Sequence, residues 1–227
     1  MKVIDNLASI QDKITETCRK CGRDPKEITI IAVTKYVSVE RAKEALEAGI
    51  LHLGENRDDG LLHKYEELGD RPIWHFIGSL QTRKVKNIID KVDYIHSLDR
   101  LSLAKEIQKR ADKPIKCFLQ VNVSGEESKH GLAPDELIPF VKELHEANYD
   151  KIIVQGLMTM APFTKDEEVL RSCFKGLKKL QGHIQDLGFS NMPCSELSMG
   201  MSNDYPIAIE EGATMIRIGT ALVGEES

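Results

Sequence analysis

Short apolar runs alternate with segments of helical periodicity along almost the whole of this 227-residue chain. The first run, ITIIAVTKY at residues 28–36, has six β-branched residues among its first seven, which is typical of a buried strand. Further strands are predicted at residues 51–54, 73–77, 92–96, 115–123, 152–157, 195–199 and 215–218. The helices between them are predicted at residues 41–48, 58–68, 81–89, 100–110, 134–147, 166–187 and 205–211. Strict alternation implies a parallel sheet, and eight such units in this length predict an α/β fold, the (β/α)8 TIM barrel.

The segment before the first strand predicts an additional helix. Val3, Leu7, Ile10 and Ile14 recur at helical spacing within residues 3–20. Few residues remain after the eighth strand, so we expect no full helix there and expect the N-terminal helix to complete the outer ring. The whole chain, residues 1–227, is therefore predicted to form a single domain.

Composition and charge argue against several classes of protein. Hydrophobic residues make up 41%, which is enough for a packed core, and the net charge of −5 argues against a nucleic-acid binder. No apolar run reaches the length of a membrane span, and the amphipathic N-terminal segment lacks the apolar centre of a signal peptide. Five irregularly spaced cysteines indicate free thiols in a reducing compartment, so we expect a cytoplasmic protein.

A lysine stands at the end of the first strand. Reactive residues of this fold lie where strands run out into loops at the carboxyl end of the barrel, and Lys35 is expected there. A lysine that apolar surroundings desolvate becomes a nucleophilic amine, able to form a Schiff base. The alternative is that Lys35 is simply the first solvated residue after the strand.

Two loops near the end of the chain are candidates for a phosphate site. The loop after strand seven reads SMGMSND (residues 198–204) and leads into a helix, and strand eight ends in IGT (residues 218–220). Small turns with glycine and hydroxyl groups present backbone N–H groups, and the dipole of a following helix favours an anion. These are the usual phosphate-binding loops of the fold, although each could instead be an ordinary turn.

Arg217 lies within strand eight, on the face expected to point into the barrel. Strand alternation turns Arg217 inward and leaves Ile216 and Ile218 facing the helices. A buried guanidinium needs acceptors, which an ion pair with Glu196 or Glu55, or a ligand atom, would supply. A lysine amine, a phosphate-binding turn and an interior arginine together match the needs of pyridoxal 5′-phosphate (PLP).

Seven stretches of the chain together resemble the pyridoxal phosphate homeostasis proteins, also called the YggS-like or PROSC family. They are AVTKYVS (32–38), HLGENR (52–57), WHFIGSLQTRK (74–84), QVNVSGEESKHG (120–131), GLMTMAP (156–162), SMGMSNDYPIAIEEG (198–212) and MIRIGTALVG (215–224). Members of this family are similar to the barrel domain of bacterial alanine racemase standing alone. The resemblance therefore implies an alanine-racemase-like barrel that binds PLP.

The resemblance also implies which residues hold the cofactor. They are the Schiff-base lysine, the partner of the pyridine nitrogen, a residue beside the ring and the phosphate contacts. In that order the positions are Lys35, Arg217, Asn56, and then Gly219, Thr220 and one of the alternatives Ser198 and Ser202.

The family resemblance implies a monomeric protein that buffers PLP in vitamin B6 and amino-acid homeostasis, without established turnover. Its expected partners are PLP and, transiently, PLP-dependent apoenzymes, with neither nucleic acid nor membrane among them. Arginine stays protonated, so Arg217 would donate to the pyridine nitrogen and leave the ring a poorer electron sink. A racemase also needs a second acid–base residue, which alanine racemases take from a partner subunit's separate domain, and we expect no such domain here.

Two other functions remain as alternatives. One is a PLP-dependent racemase or lyase acting on small amino acids, and the other is a cofactor-free aldolase that uses Lys35 on a phosphorylated sugar. Two further residues receive predictions of their own. His75, in the third strand, is expected to be a packed core residue, and Lys129 a solvated loop residue, with a transient cofactor contact as the alternative.

Overall fold

The computed structural model describes residues 2–225 of the chain. Its centre is a closed barrel in which each of eight parallel strands pairs with the next and the last pairs with the first. The strands are β1 (Thr29–Val33), β2 (His52–Glu55), β3 (Ile73–Phe76), β4 (Tyr94–Leu98), β5 (Ile115–Gln120), β6 (Ile152–Met158), β7 (Glu196–Met201) and β8 (Met215–Ile218). The predicted (β/α)8 barrel is confirmed. Of the predicted domain 1–227, Met1, Glu226 and Ser227 lie outside the described residues.

Helices surround the barrel in the order that the sequence predicts. They are α1 (Val3–Cys21), α2 (Val39–Glu47), α3 (Asp58–Leu68), α4 (Val85–Ile88), α5 (Leu101–Arg110), α6 (Leu137–Glu146), α7 (Glu167–Gln185), α8 (Tyr205–Glu210) and α9 (Thr220–Val223). The helix predicted at residues 81–89 is shorter than expected, because a 3-10 turn at Thr82–Lys84 takes up its first part. Up to residue 225, the single turn α9 is the one helix that follows β8, as predicted.

The N-terminal helix α1 completes the outer ring. Its apolar face is buried where it packs against α8 and α9. The side-chain amide of Asn6 donates to the carbonyl of Leu222 in α9 at 2.8 Å. Just after α1, the guanidinium of Arg23 donates to the carbonyls of Ile209 and Ala213 at 2.7 and 2.8 Å. The expectation that this helix fills the gap after β8 is therefore confirmed.

Strand alternation separates two apolar layers. The larger lies between the sheet and the helices and includes Ile216 and Ile218, as predicted for β8. The smaller cluster is formed by Ile31, Tyr94, Phe118, Met158 and Met215. Because Met215 and Arg217 share one face of β8, this smaller cluster fills the barrel interior. Buried histidine, serine and arginine side chains share this interior.

Two predictions about the chain's environment can be compared with the structure. Within residues 2–225, no helix combines the length and apolar character needed to cross a membrane. All five cysteines are free thiols, as their irregular spacing predicts.

Candidate functional site

A cavity of about 430 Å³ opens at the carboxyl ends of the strands, a size suited to a small-molecule ligand. It is lined by six of the seven residues predicted to bind the cofactor: Lys35, Asn56, Ser202, Arg217, Gly219 and Thr220. Ser198 is fully buried and contacts Arg217 instead of lining the cavity. The other lining residues are Val33, Ile77, Gly78, Ser79, Gln120, Met160, Met201 and Asn203. The topology therefore brings together residues that lie far apart in sequence.

Lys35 lies in the turn after β1, and its side chain is exposed. The strand ends at Val33, earlier than predicted, because a hydrogen bond from Val37 N to the Thr34 carbonyl (3.2 Å) closes a turn. The Lys35 amine lies 4.6 Å from the ring centroid of Tyr36. The apolar strand therefore does not bury this amine, and the role of Lys35 as a Schiff-base lysine stays a prediction. An exposed amine at the cavity rim is accessible to a ligand entering from solvent.

A buried ion pair fixes the backbone just before Lys35. The Thr34 hydroxyl donates to Glu55 Oε1 at 2.5 Å, and Lys64 Nζ lies 3.0 Å from the same oxygen. The side chains of Glu55 and Lys64 are only 1% and 6% exposed. Glu55 ends β2 and Lys64 belongs to α3, so the pair ties the exit of β1 to its neighbouring strand and helix. The network positions Lys35 without touching its amine.

Arg217 points into the barrel, as strand alternation predicts, and is buried. Its guanidinium donates to Ser198 Oγ at 2.5 Å and to the Thr159 carbonyl at 3.0 Å. Burial lowers the pKa of Arg217 to about 10, opposed by the nearby Asp204 carboxyl, so the side chain is still protonated at neutral pH.

Arg217 forms an ion pair with neither Glu55 nor Glu196. Glu55 pairs with Lys64, and Glu196 accepts a hydrogen bond from the Thr214 hydroxyl at 2.6 Å. The neutral acceptors Ser198 and Thr159 therefore hold Arg217, which also lines the cavity and has further N–H donors.

The loop after β7 is held by a glycine and a carboxylate. Gly200 has a φ of 98°, and a Cβ on it would lie 2.7 Å from the Cβ of Ala208. Oδ1 of Asp204 accepts a hydrogen bond from Met201 N at 2.6 Å, and burial raises the pKa of Asp204. These constraints fix the loop that brings Ser202 to the cavity.

The turn after β8 leaves unfilled space in the cavity wall at Gly219. A Cβ added to Gly219 would meet nothing closer than Val33 Cβ, at 3.7 Å. The fold itself therefore has room for a side chain at Gly219, and its absence leaves the backbone accessible to a ligand. Thr220 begins α9. The first N–H groups of a helix have no acceptor within that helix. Hydroxyl and backbone donors thus lie next to this space, and such donors suit an anion such as a phosphate.

A row of hydrogen-bonded histidines crosses the barrel interior. His52 Nδ1 lies 2.8 Å from His75 Nε2, and His75 Nδ1 lies 2.8 Å from His96 Nε2. His96 Nδ1 lies 2.9 Å from Ser198 Oγ, so the row continues to Arg217. His75 is fully buried, which confirms that it is a core residue, and burial lowers its pKa well below the ordinary value.

Sequence reasoning treated His75 as an isolated residue and missed the row. The available signal was one histidine in each of three consecutive strands, in LHLG, WHF and IHS. That signal was weak, because neighbouring strands differ in register and the sequence does not show which histidines share the interior.

Lys129 lies outside the cavity lining. Its amine donates to the Met160 carbonyl at 3.2 Å and pairs with Glu126 at 2.6 Å. The alternative of a transient cofactor contact stays a prediction. Across residues 2–225 no group of three or more histidine, cysteine or carboxylate side chains could hold a metal ion.

Comparison with known proteins agrees with this fold. The family model of the alanine racemase N-terminal domain matches residues 6–227. The pyridoxal phosphate homeostasis protein of Aquifex aeolicus is 42% identical over 231 residues, covering 99% of both chains. That of Pseudomonas aeruginosa is 37% identical over 226 residues, covering 98% of this chain and 95% of the relative. The chain therefore belongs to the alanine racemase N-terminal domain family. Its full-length relatives there are named pyridoxal phosphate homeostasis proteins, which confirms the family predicted from the sequence.

Solved structures agree with this assignment. PipY of Synechococcus elongatus PCC7942, with PLP bound, is 30% identical with a TM-score of 0.84 and coverage of 98% of this chain and 100% of that chain. An alanine racemase of Clostridium difficile 630 has a TM-score of 0.78 at 17% identity, and this chain spans 56% of it. At that identity the second likeness shows the barrel fold alone.

Proposed function

We propose that the protein binds PLP in the cavity as a Schiff base on Lys35 and acts in intracellular vitamin B6 and amino-acid homeostasis. The observation that carries this proposal is the convergence of three features on one cavity: the exposed amine of Lys35, the guanidinium of Arg217 and the open turn at Gly219. The names of the relatives and the PLP-bound PipY structure support PLP as the ligand.

The phosphate would be held by the turns after β7 and β8. Ser202 and Thr220 line the cavity with hydroxyl-bearing side chains, and Gly219 leaves the backbone next to Thr220 open. We choose Ser202 over Ser198 for this role, because Ser198 is fully buried behind Arg217.

The other end of the cofactor would face Arg217. The guanidinium can only donate hydrogen bonds, which suits an unprotonated pyridine nitrogen. Asn56, from the loop after β2, would lie beside the ring. When bound, PLP supplies an aldehyde for amines and an electron-withdrawing ring.

The lining of the cavity favours holding the cofactor over turning over a substrate. Among the described residues that line it, Lys35 and Arg217 are the ionisable ones, and no tyrosine, histidine, cysteine or carboxylate is present. A racemase needs a second group that exchanges a proton on the opposite face of the substrate. We therefore infer a carrier and regulator that works as a monomer in the cytoplasm and meets PLP-dependent apoenzymes transiently.

The first test is the absorption spectrum of the purified protein with added PLP, before and after borohydride. We expect a near-visible band that reduction bleaches. The band should be absent from Lys35→Ala and retained in Lys26→Ala, which removes an exposed lysine before the opposite end of β1. Absence of a band in the unmodified protein refutes the proposal, and borohydride trapping of a sugar phosphate instead would support the aldolase.

A second test separates the carrier from the racemase or lyase. The PLP-loaded protein is incubated with alanine in deuterium oxide, and loss of the α-hydrogen is followed by NMR. The carrier predicts exchange no faster than with free PLP. Exchange at an enzymatic rate that disappears in Lys35→Ala would instead establish the enzyme.

A further inference from the structure

The buried row from His52 to Arg217 has a defined end. Arg217 donates to Ser198 Oγ and cannot accept a hydrogen bond, because a guanidinium has donors only. Ser198 Oγ has one other partner in the described structure, His96 Nδ1. Ser198 is fully buried, so its own proton needs an acceptor, and an unpaired buried hydroxyl costs about 1–3 kcal/mol.

These facts set the direction of the row. The Ser198 hydroxyl donates to His96 Nδ1, so His96 carries its proton on Nε2 and donates to His75 Nδ1. His75 then carries its proton on Nε2 and donates to His52 Nδ1. In the reverse direction His96 would donate to Ser198, and the serine proton would have no acceptor among the described residues. A guanidinium at one end thus decides the tautomer of each ring.

The row also has to remain neutral. A second proton on His75 or His96 would bring two N–H groups face to face and break a hydrogen bond. Burial lowers the pKa of both rings, which agrees with this. Tyr94 and Phe118 stack on these rings at centroid distances of 4.3 and 4.4 Å, so apolar surfaces enclose them.

Charged groups lie near the two ends of the row. Asp93 and Lys116 have opposite electrostatic effects on His52 at the outer end. At the inner end Asp204 is the carboxyl that acts on Arg217, and its Oδ1 is engaged by Met201 N. No carboxylate of residues 2–225 forms a salt bridge with Arg217.

We propose that His52, His75, His96 and Ser198 form a directional chain of neutral hydrogen bonds that positions Arg217 toward the cavity as a cation without an ion-pair partner. His75 and His96 are positioning residues, because they act on a ligand only through Ser198 and Arg217. A donating serine is a stronger acceptor for Arg217, since hydrogen bonds in a chain polarise one another. The consequence for bound PLP rests on the proposed function, whereas the direction of the chain does not.

The direction can be measured without cofactor. Long-range ¹⁵N–¹H correlation spectra of the ¹⁵N-histidine-labelled protein at pH 7 distinguish the two neutral tautomers and the charged ring. We expect His52, His75 and His96 all to be protonated on Nε2 only. A proton on Nδ1 of His75 or His96, or a charged ring at either position, overturns the proposal.

Variants at His96 separate positioning from packing. His96→Gln can accept from Ser198 through its carbonyl and donate to His75 through its amide, which preserves the direction. His96→Leu fills the space without either bond. We expect His75 to keep the Nε2–H tautomer in His96→Gln and to become a mixture in His96→Leu. His183→Asn, on the exposed face of α7, is the control and should change no other histidine signal.

Two outcomes at His96 decide the matter. An unchanged His75 tautomer in a folded His96→Leu protein also overturns the proposal. Should His96→Leu fail to fold, Ser198→Ala gives the same test, with His96 as the ring that becomes mixed.

The loaded protein gives the second readout. His96→Leu should weaken PLP binding about tenfold, the scale of one lost hydrogen bond, and His96→Gln should recover most of it. Equal affinity in all three proteins contradicts the positioning role. If the unmodified protein binds no PLP, the proposed function fails, and the tautomers of the unloaded protein still decide the direction of the chain.

Discussion

The buried pair of Glu55 and Lys64 allows a quantitative test of how the turn at Lys35 is held. In Lys64→Met the methionine fills most of the space of the lysine, but Glu55 loses its cation at 3.0 Å. Both side chains are nearly inaccessible, at 1% and 6% exposure, so solvent cannot compensate the orphaned carboxylate. Removing one partner of such a pair destabilises a protein by about 3–5 kcal/mol, a large part of a typical total of about 5–15 kcal/mol.

The assay is urea unfolding at pH 7, followed by circular dichroism. Lys20→Met is a matched control, because Lys20 pairs with Glu16 at 2.7 Å but both side chains are about half exposed. We expect the control to change the free energy of unfolding by less than about 1 kcal/mol. Adding Glu55→Gln to Lys64→Met removes the unpaired charge and should recover much of the loss.

The same variant also tests the link to the site. Thr34 donates to the oxygen that Lys64 approaches, so a shift of Glu55 disturbs the backbone next to Lys35. We expect PLP to bind more weakly to Lys64→Met than to Lys20→Met. A loss of less than about 1 kcal/mol in Lys64→Met would show that the pair behaves like a surface salt bridge, and would refute the reasoning.

Three other outcomes follow from single features of the structure. Gly219→Ala should alter the free energy of unfolding by no more than about 1 kcal/mol, since its Cβ has room, yet weaken binding of PLP far more than binding of pyridoxal, as titration of the absorption band would show. Burial raises the pKa of Cys117 to about 12, so at pH 8 its thiol stays protonated and should react with a thiol reagent much more slowly than the exposed Cys21; mass spectrometry of labelled peptides would show the opposite order if Cys117 were accessible. Burial raises the pKa of Asp58, but hydrogen bonds from Lys84 and Asn87 outweigh it and leave the pKa lowered. Its stabilising contribution is therefore present above the unfolded pKa of about 4 and is lost as the pH falls through the folded pKa. Urea unfolding should show Asp58→Asn destabilised at pH 7 and closer to the unmodified protein near pH 3, and an equal loss at both values would contradict this assignment.

The sequence predicts the barrel because its signals are local. Each strand is a short β-branched or apolar run, and each helix has its own periodicity, so eight βα units can be counted before any long-range contact is known. The inward direction of Arg217 was also predictable, since β8 keeps strict alternation between Met215 and Ile218. The length of β1 was not predictable, because the strand ends at a turn at Thr34. Glu55, on the neighbouring strand, fixes that turn.

Alternation fails at β7, which explains why Ser198 and Ser202 could not be separated from the sequence. Ser198 pairs with Met215 and Met201 with Arg217, so three steps along β7 match two along β8. This irregularity, with Gly200 at a φ of 98°, changes which side chains face the interior. The histidine row escaped prediction for a related reason, since it depends on the relative register of β2, β3, β4 and β7.

The polar interior of the barrel is better explained by the cavity than by the stability of the fold. An apolar filling, like the Ile31, Phe118 and Met158 cluster beside it, would need no hydrogen-bond partners. A satisfied polar network at best replaces the hydrogen bonds that its groups make with water, and it becomes costly as soon as one partner is lost. The row nevertheless crosses the interior and ends at Arg217, which lines the cavity. A carboxylate would hold the guanidinium more tightly but would neutralise its charge, whereas Ser198 and the histidines hold it and leave the charge available to a ligand. The buried polar groups that destabilise this interior are therefore the ones that the proposed site for an unprotonated ring nitrogen would use.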